Sequence, residues 1–239
     1  MMDSNKSSSI ILGLCLLLGL SSLGYLLGDA AIRYKEYERT VTVKGLSERE
    51  YKADIVIWPI QFSAASNNLE DIYKTIDGST EKIKSFLESA GINPSEISYS
   101  SPAINDKSAQ RYGNQPAAQF RFTASQTVTV YSKNIEAVRQ VMSRMSELGK
   151  QGIVITGNDY QTQTEYIFTR LNEVKPEMIE EATRKAREVA EKFASDSKST
   201  LGKIKSASQG QFSINARDKN NPHIKKVRVV STVAYYLSD

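Results

Sequence analysis

The side chains that most often carry catalysis are scarce in this chain. It has one histidine, His223, and one cysteine, Cys15, among 239 residues. Structural zinc sites draw on several Cys and His ligands, and a serine nucleophile is commonly activated by a positioned imidazole, so either chemistry would depend on His223. His223 lies in the turn-forming segment NNPHIKK, which is typical of a solvated loop histidine. The sequence therefore predicts no metal site, no cofactor and no histidine-activated nucleophile.

Two Ser-x-x-Lys patterns could in principle supply a serine nucleophile with a lysine base. They join Ser79 to Lys82 and Ser195 to Lys198. Enzymes that use this pattern also carry Ser-Asp-Asn and Lys-Thr-Gly motifs, and this chain has neither. A pattern this short is expected about twice by chance in a chain so rich in serine and lysine. We therefore predict that the chain is not an enzyme.

Carboxylates offer acid–base chemistry only if they are brought together. Asp54 begins a predicted strand, where an aspartate commonly accepts a hydrogen bond from a nearby backbone amide. Glu173, Glu177, Glu180 and Glu181 all fall near the start of a predicted helix, where negative charge favours the backbone dipole. Both patterns indicate structural roles. Asp54 would be a general base only with a partner that the sequence does not identify.

Five side chains are candidates for a contact surface. Core packing explains most buried aromatic residues, but tyrosine and tryptophan are also enriched where proteins meet. The candidates are Trp58, Tyr235 and Tyr236 in predicted strands, and Arg111 and Tyr112 in a polar loop, residues 105–117.

The N-terminal part contains an uncharged apolar run, IILGLCLLLGLSSLGYLL, of about the length that crosses a bilayer as a helix. We divide the chain into a tail at 1–9, a transmembrane anchor or uncleaved signal at 10–28, a polar tether at 29–39 and a folded domain at 40–239. We predict that this segment anchors the chain in a membrane and that the folded domain is exported. Cleavage near GDA at 28–30 would instead release the exported domain.

The folded part alternates between strand and helix patterns. TVTVKG at 40–45 predicts a strand that ends in a turn at Gly45. KADIVIWPIQF at 52–62 predicts a strand covered on both faces, with Pro59 at a sheet edge or a bulge.

Three amphipathic helices are predicted, at about 68–91, 134–149 and 176–199. The buried stripe predicted for the last helix is Ile179, Ala182, Ala186, Val189 and Phe193. No glycine-rich phosphate loop links strand to helix, so the class is α+β, with antiparallel or mixed sheets packed against about three helices.

The charge distribution argues against a nucleic-acid partner. The 31 Lys and Arg residues are interspersed with 27 Asp and Glu residues, so no continuous basic surface for a phosphate backbone is expected.

Three segments together resemble the SIMPL-domain family of bacterial envelope proteins. They are VTVKGLSEREYKADIVIWPIQF, EEATRKAREVAEKFASDSKSTLGKIKSASQG and KKVRVVSTVAYYL, and the resemblance spans about residues 40–238. It implies an α+β domain in the periplasm or on the cell surface, members that form ring-like oligomers, and no established enzymatic activity. Together with the apolar segment, it predicts a single-pass inner-membrane protein with its domain in the periplasm, or a periplasmic protein after signal cleavage. It also implies links to envelope stress tolerance and immune recognition.

The predicted function is a membrane-anchored, non-enzymatic envelope protein that forms homo-oligomers and acts as a scaffold or binding module. Its partner in the envelope is not identified by the sequence. Two alternatives stay open. One is a hydrolase that acts on cell-wall material, and the other is a binding protein for an extracytoplasmic peptide or glycan that uses the loop at 105–117.

Overall fold

A computed structural model describes residues 3–36, 39–108, 119–157 and 162–238 of the chain. It contains five helices and ten strands over these residues. In chain order they are α1 Asp3–Glu36, β1 Thr40–Lys52, β2 Ile55–Ser66, α2 Leu69–Ser89, β3 Ile97–Tyr99, β4 Ala103–Asp106, β5 Phe122–Ser132, α3 Ile135–Ser143, α4 Ser146–Lys150, β6 Val154–Thr156, β7 Glu165–Ile167, α5 Leu171–Asp196, β8 Thr200–Gln209, β9 Ser213–Ala216 and β10 Ile224–Ser238. The chain is α+β with antiparallel strand pairing, as predicted.

The chain forms two compact units, which we call unit 1 and unit 2. Unit 1 comprises Met1–Glu48, Lys175–Phe212 and Arg228–Asp239, and unit 2 comprises Arg49–Val174 and Ser213–Val227. Strands β1 and β10 each contribute residues to both units.

Helix α1 contains the predicted apolar segment. Leu12–Ile32, 21 residues, is long and apolar enough to cross a membrane by length and composition, and a signal sequence would satisfy the same criterion. The helix begins in the predicted tail and continues through most of the predicted tether.

Unit 2 is built on a six-stranded antiparallel sheet with the order β3-β5-β2-β6, in which β4 also pairs with β5 and β7 with β2. One face of the sheet packs against helices α2 and α3 because apolar residues alternate along β2 and β5. The most deeply buried core side chains are Val56, Ile60, Phe62, Ile72, Ile76, Ile83, Leu87, Val128, Val130, Val138 and Leu148. On the opposite face of the sheet, every second side chain of β2 is only partly buried. The prediction that both faces of β2 are covered is therefore correct for one face only.

Pro59 lies at a gap in the pairing of β2. On one side the register with β5 is continuous, with Pro59 opposite Thr129. On the other side β7 pairs with Ile55–Ile57 and β6 with Gln61–Ser63, and no described strand pairs with the residues between. A residue without an N–H group therefore occupies a local edge, as predicted, and not a bulge.

Of the three predicted helices, the first begins and ends as predicted. Asn68 begins α2 by accepting a hydrogen bond from the Glu70 amide at 2.9 Å, and Gly91 follows the helix with φ of 90°. The second predicted helix is divided into α3 and α4 around Arg144 and Met145. The third, α5, begins at Leu171, so Pro176 lies inside it and not at its start.

Unit 1 has a small core formed by β1, β10 and α5. The strand order is β1-β10-β8, and β8 pairs with β10 in antiparallel orientation. Its buried cluster consists of Val43, Ala186, Ala190, Val233 and Tyr235. The core is small because the helix contributes mainly alanine side chains.

Gly45 does not end a strand, contrary to the prediction. β1 continues through it to Lys52, and the glycine lies against the α5 backbone at Ala182 and Ala186. A glycine within a strand commonly marks such a close approach, and a sequence alone does not distinguish this from a turn.

Candidate functional site

The serine–lysine patterns do not form a nucleophile and base in this structure. The Ser79 hydroxyl donates to the carbonyl oxygen of Thr75 at 2.8 Å within α2, and Lys82 Nζ donates to the carbonyl oxygen of Gln151 at 3.2 Å. Lys198 lies in the turn that ends α5. Within the described ranges, no three or more His, Cys, Asp or Glu residues lie close enough to hold a metal ion.

Asp54 is held by the segment that precedes α5. Its Oδ2 accepts hydrogen bonds from the Thr169 amide at 2.6 Å and the Thr169 hydroxyl at 3.1 Å, and its Oδ1 accepts one from Arg170 Nε at 2.7 Å. Burial alone raises the pKa of Asp54, but these donors favour the charged form and the net pKa lies below the ordinary value of 3.8. An ionised, fully bonded carboxylate is a structural anchor and a poor general base.

The acidic residues near the start of α5 are dispersed. Glu173 lies in the first turn of the helix, as predicted for the backbone dipole, and Glu177 and Glu180 are exposed. Glu181 accepts hydrogen bonds from the Ser47 hydroxyl at 2.9 Å and from Lys185 at 2.7 Å. The Ser47 contact ties the helix to β1 within unit 1, and the Lys185 contact lies within the helix.

The candidate contact residues separate into two groups. Trp58 is 5% exposed in the core of unit 2 and Tyr235 is 3% exposed in the core of unit 1, so their burial supports packing and not a surface role. Tyr236 is 39% exposed, and Lys205 Nζ lies 5.6 Å from the centre of its ring. Arg111 and Tyr112 lie outside the described residues.

Tyr236 lies beside the most exposed strand of unit 1. Its neighbour in the sheet, β8, has nine exposed residues of ten, so neither face of this strand is covered. The sheet ends at β8 and at β1, and no other described strand pairs with their outer edges. A strand normally buries at least one face, whereas β8 leaves both its side chains and the backbone groups of its outer edge exposed.

Helix α5 adds exposed apolar residues to unit 1. Its buried stripe is Met178, Ala182, Ala186, Ala190 and Ala194. Val189 and Phe193, predicted in the core, are 41% and 57% exposed. The stripe differs from the prediction because only small side chains fit where the helix backbone approaches Gly45. We use the open surface of unit 1 as a collective name for strand β8 and the exposed apolar residues Val189, Phe193, Ile204 and Tyr236. Tyr236 lies on the sheet face opposite to its buried neighbour Tyr235.

Unit 2 has a cavity of about 600 Å³ on the sheet face that the helices leave uncovered. Strands β2, β4, β5 and β6 line it. Its polar lining consists of hydroxyl and amide side chains from Gln61, Ser63, Asn105, Thr123, Ser125 and Thr156. Neutral hydrogen-bonding groups around small apolar side chains suit an uncharged polar ligand.

His223 is buried, contrary to the prediction of a solvated loop histidine. Its side chain is 7% exposed and its ring centre lies 6.0 Å from that of Tyr166. Its carbonyl oxygen accepts a hydrogen bond from the Ala53 amide at 2.8 Å, which fixes the turn to the segment between β1 and β2. The Asn-Pro context identified the turn correctly but carries no information about what packs on the histidine side chain.

These features define a class: an α+β protein with antiparallel sheets, preceded along the chain by one apolar helix that is long enough to cross a membrane. The chain belongs to the SIMPL family, described as a protein of unknown function (DUF541), and the match covers residues 41–233. No curated protein matches the chain.

Proposed function

We propose that this SIMPL protein is a membrane-attached, non-enzymatic component of the cell envelope whose domain self-associates and serves as a scaffold or binding module. The single observation that carries the proposal is the open surface of unit 1, where a ten-residue edge strand and a helix leave apolar side chains uncovered. Isolated exposed apolar residues are ordinary, but their combination with an unpaired strand edge is typical of an interface.

A second copy of the same chain is the proposed occupant. One sheet carries both open edges, β1 and β8, so the β8 edge of one copy can extend the sheet at the β1 edge of the next. Such a contact is head-to-tail, and it closes into a ring when the rotation between copies allows. Lys203 and Lys205 on β8 disfavour indiscriminate strand pairing, as charged residues commonly do at sheet edges.

The proposed location is the inner membrane, with α1 as a single-pass anchor and the folded part in the periplasm. The apolar segment Leu12–Ile32 supports attachment or export, and the alternative is a periplasmic protein after signal cleavage. Mass spectrometry of the intact chain from the membrane fraction distinguishes the two, because cleavage removes the segment. Protease protection in intact spheroplasts tests the side of the membrane.

The test of self-association uses the full chain in detergent or lipid nanodiscs. Light scattering coupled to size exclusion, with the contribution of detergent or lipid subtracted, should give a protein mass several times that of one chain. A protein mass of one chain at the highest attainable concentration would contradict the proposal.

A second candidate function is binding of an uncharged glycan or peptide in the 600 Å³ cavity of unit 2. The hydroxyl and amide lining supports it, as does the position of Asn105 at the entry to the loop predicted to contact ligands. Thermal stabilisation of the full chain by soluble cell-wall fragments tests it. Replacing Ser125 with Phe should fill the cavity and remove the shift, whereas replacing the exposed Ser89 with Phe, outside this cavity, should retain it.

A further inference from the structure

A smaller cavity in unit 2 lies where helix α3 begins. Its volume is about 200 Å³, and its lining residues are Lys52, Ala53, Lys133, Asn134, Ile135, Glu136 and His223. Typical cavities for drug-sized ligands measure roughly 300–1,000 Å³, so this one fits a single small group. All of these residues belong to unit 2.

The start of α3 provides backbone donors. The Asn134 side chain accepts a hydrogen bond from the Ala137 amide at 3.1 Å, while the amides of Ile135 and Glu136 make no hydrogen bond with the described residues. The first amides of a helix, together with its dipole, favour an anion. This favourable end faces a cavity that also contains lysine side chains.

The two lysines of the cavity have no carboxylate partner within the described part of the chain. Lys52 and Lys133 form no ion pair there, although most arginines of unit 2 do. The opposing charge in the lining is Glu136, which pairs with Arg139 at 3.5 Å. The two lysines therefore leave the cavity with an excess of positive charge.

The second, independent observation is the state of His223. The side chain lines the cavity while more than nine-tenths buried, and its Nδ1 atom is buried with no hydrogen-bond partner. Burial lowers the pKa of His223, the charge of Arg139 lowers it further, Glu136 opposes the shift, and Arg217 and Lys52 add smaller lowering effects. The ring is therefore neutral at pH 7. The tautomer with hydrogen on Nε2 avoids a buried donor without an acceptor at Nδ1.

We propose that this cavity is a binding site for a phosphate group, which Lys52 and Lys133 hold by charge while His223 Nε2 and the first amides of α3 donate hydrogen bonds. Lysine ammonium groups act as point charges around a tetrahedral oxyanion, whereas planar carboxylates are more often held by the fork of an arginine. The phosphate belongs either to a free small molecule or to a lipid headgroup. Bound phosphate accepts a hydrogen bond from Nε2, while Nδ1 stays buried without a partner among the described residues.

The single histidine makes the test direct. The full chain, labelled with ¹³C at the histidine Cε1 position and held in phosphatidylcholine nanodiscs, gives one imidazole signal. Inorganic phosphate, added at constant ionic strength against sodium chloride, is expected to shift this signal saturably. Nanodiscs that contain phosphatidic acid form the second arm. A shift that appears only in that arm assigns the phosphate to a lipid headgroup, and a shift in the first arm assigns it to a free molecule.

Paired variants separate a built site from general electrostatic attraction. Replacing Lys52 and Lys133 with Gln should weaken the phosphate response about tenfold or more, since hydrogen bonds to charged groups are among the stronger ones. Lys107→Gln, outside the cavity in the turn after β4, removes a positive charge from unit 2 and should retain the response. The proposal is overturned if His223 responds in neither arm, if chloride gives the same shift, or if the double variant responds as the unaltered chain does.

Discussion

Gly45 of β1 lies so close to Ala182 of α5 that a Cβ atom on Gly45 would overlap the carbonyl oxygen of Ala182 and come within 2.5 Å of the Ala186 amide nitrogen. Both obstacles are backbone atoms, which do not move aside as the end of a flexible side chain would. This approach lets a helix lined with alanines pack on the strand, and it explains the composition of the α5 stripe.

Replacing Gly45 with Ala should therefore destabilise unit 1. We expect a loss of about 3 kcal/mol or more in the free energy of unfolding, because an added methyl group must push strand and helix apart. Scanning calorimetry of the full chain measures it. Gly78→Ala is the matched control: it lies in α2 with open space around its Cβ position, and it should gain about 0.5–1 kcal/mol from helix propensity. Equal stability of the two variants would contradict the proposed role of Gly45.

Asp54 should contribute to stability in a pH-dependent way. Its folded-state pKa lies below 3.8, so the ionised form is favoured by folding. The contribution is fully present above the unfolded value and is lost as the pH falls through the folded value. Asp54→Asn should cost about 2 kcal/mol at pH 7, because hydrogen bonds to a charged acceptor become neutral ones.

Urea unfolding at pH 7 and at pH 3 measures this difference. The difference in the free energy of unfolding between the unaltered chain and Asp54→Asn should be smaller at pH 3 than at pH 7. Asp77→Asn, at an exposed position of α2, should change stability little at either pH. An equal difference at pH 3 and pH 7 would show that the ionised carboxylate of Asp54 is not the cause of the stabilisation.

Lys198 adopts a backbone conformation that favours glycine. Its φ is 56°, and the Ser199 amide bonds to the Ala194 carbonyl at 2.8 Å while the Lys198 amide bonds to the Ser195 carbonyl at 3.1 Å. This is a Schellman ending of α5 with lysine at the left-handed position.

Lys198→Gly should raise stability by about 1 kcal/mol, since it removes the cost of a left-handed conformation with a Cβ atom. Thermal melts followed by circular dichroism report the change. Lys192→Gly, inside the same helix, should lower stability by a similar amount because glycine is a poor helix former. The test is that the two glycine substitutions change the stability in opposite directions. A change in the same direction for both would refute the Schellman ending at Lys198.

The open surface of unit 1 predicts the effect of polar substitutions on assembly. Changing Val189 and Phe193 together to Ser should shift the full chain toward single copies, because both side chains are exposed in one copy and contribute apolar area only when a second copy covers them. Thermal stability at low concentration should change little. Tyr73→Ser, at a similarly exposed position of α2, should leave the protein mass unchanged. An unaltered mass in the double variant would place the contact elsewhere.

The sequence predicts the elements of this protein better than their partners. The helix α2, with its Asn68 cap and Gly91 ending, and the strand pattern around Trp58 depend on neighbours along the chain, so local pattern is sufficient. The roles of Gly45, Phe193 and His223 depend on residues that lie far away in sequence. A glycine that permits close approach resembles a glycine in a turn, and an apolar helix position resembles a core position whether or not the same chain covers it.

The candidate sites also depend on residues that are distant in sequence. Counting His and Cys residues led to the prediction of no metal site, but it could not reveal that the lone imidazole lines a cavity with two lysines. Segments 52–53, 133–136 and 223 meet only in the folded unit. A lysine immediately before a helix cap, as in Lys133-Asn134, is the local signal that could have suggested an anion site.

The burial of Trp58 has a practical consequence for measurement. It is the only tryptophan of the chain, and it lies in the core of unit 2. Fluorescence excited at the red edge of indole absorption therefore reports the unfolding of unit 2 alone. Far-ultraviolet circular dichroism instead reports the average secondary structure of both units. The difference between the two traces reveals whether the halves of this protein come apart together or one after the other.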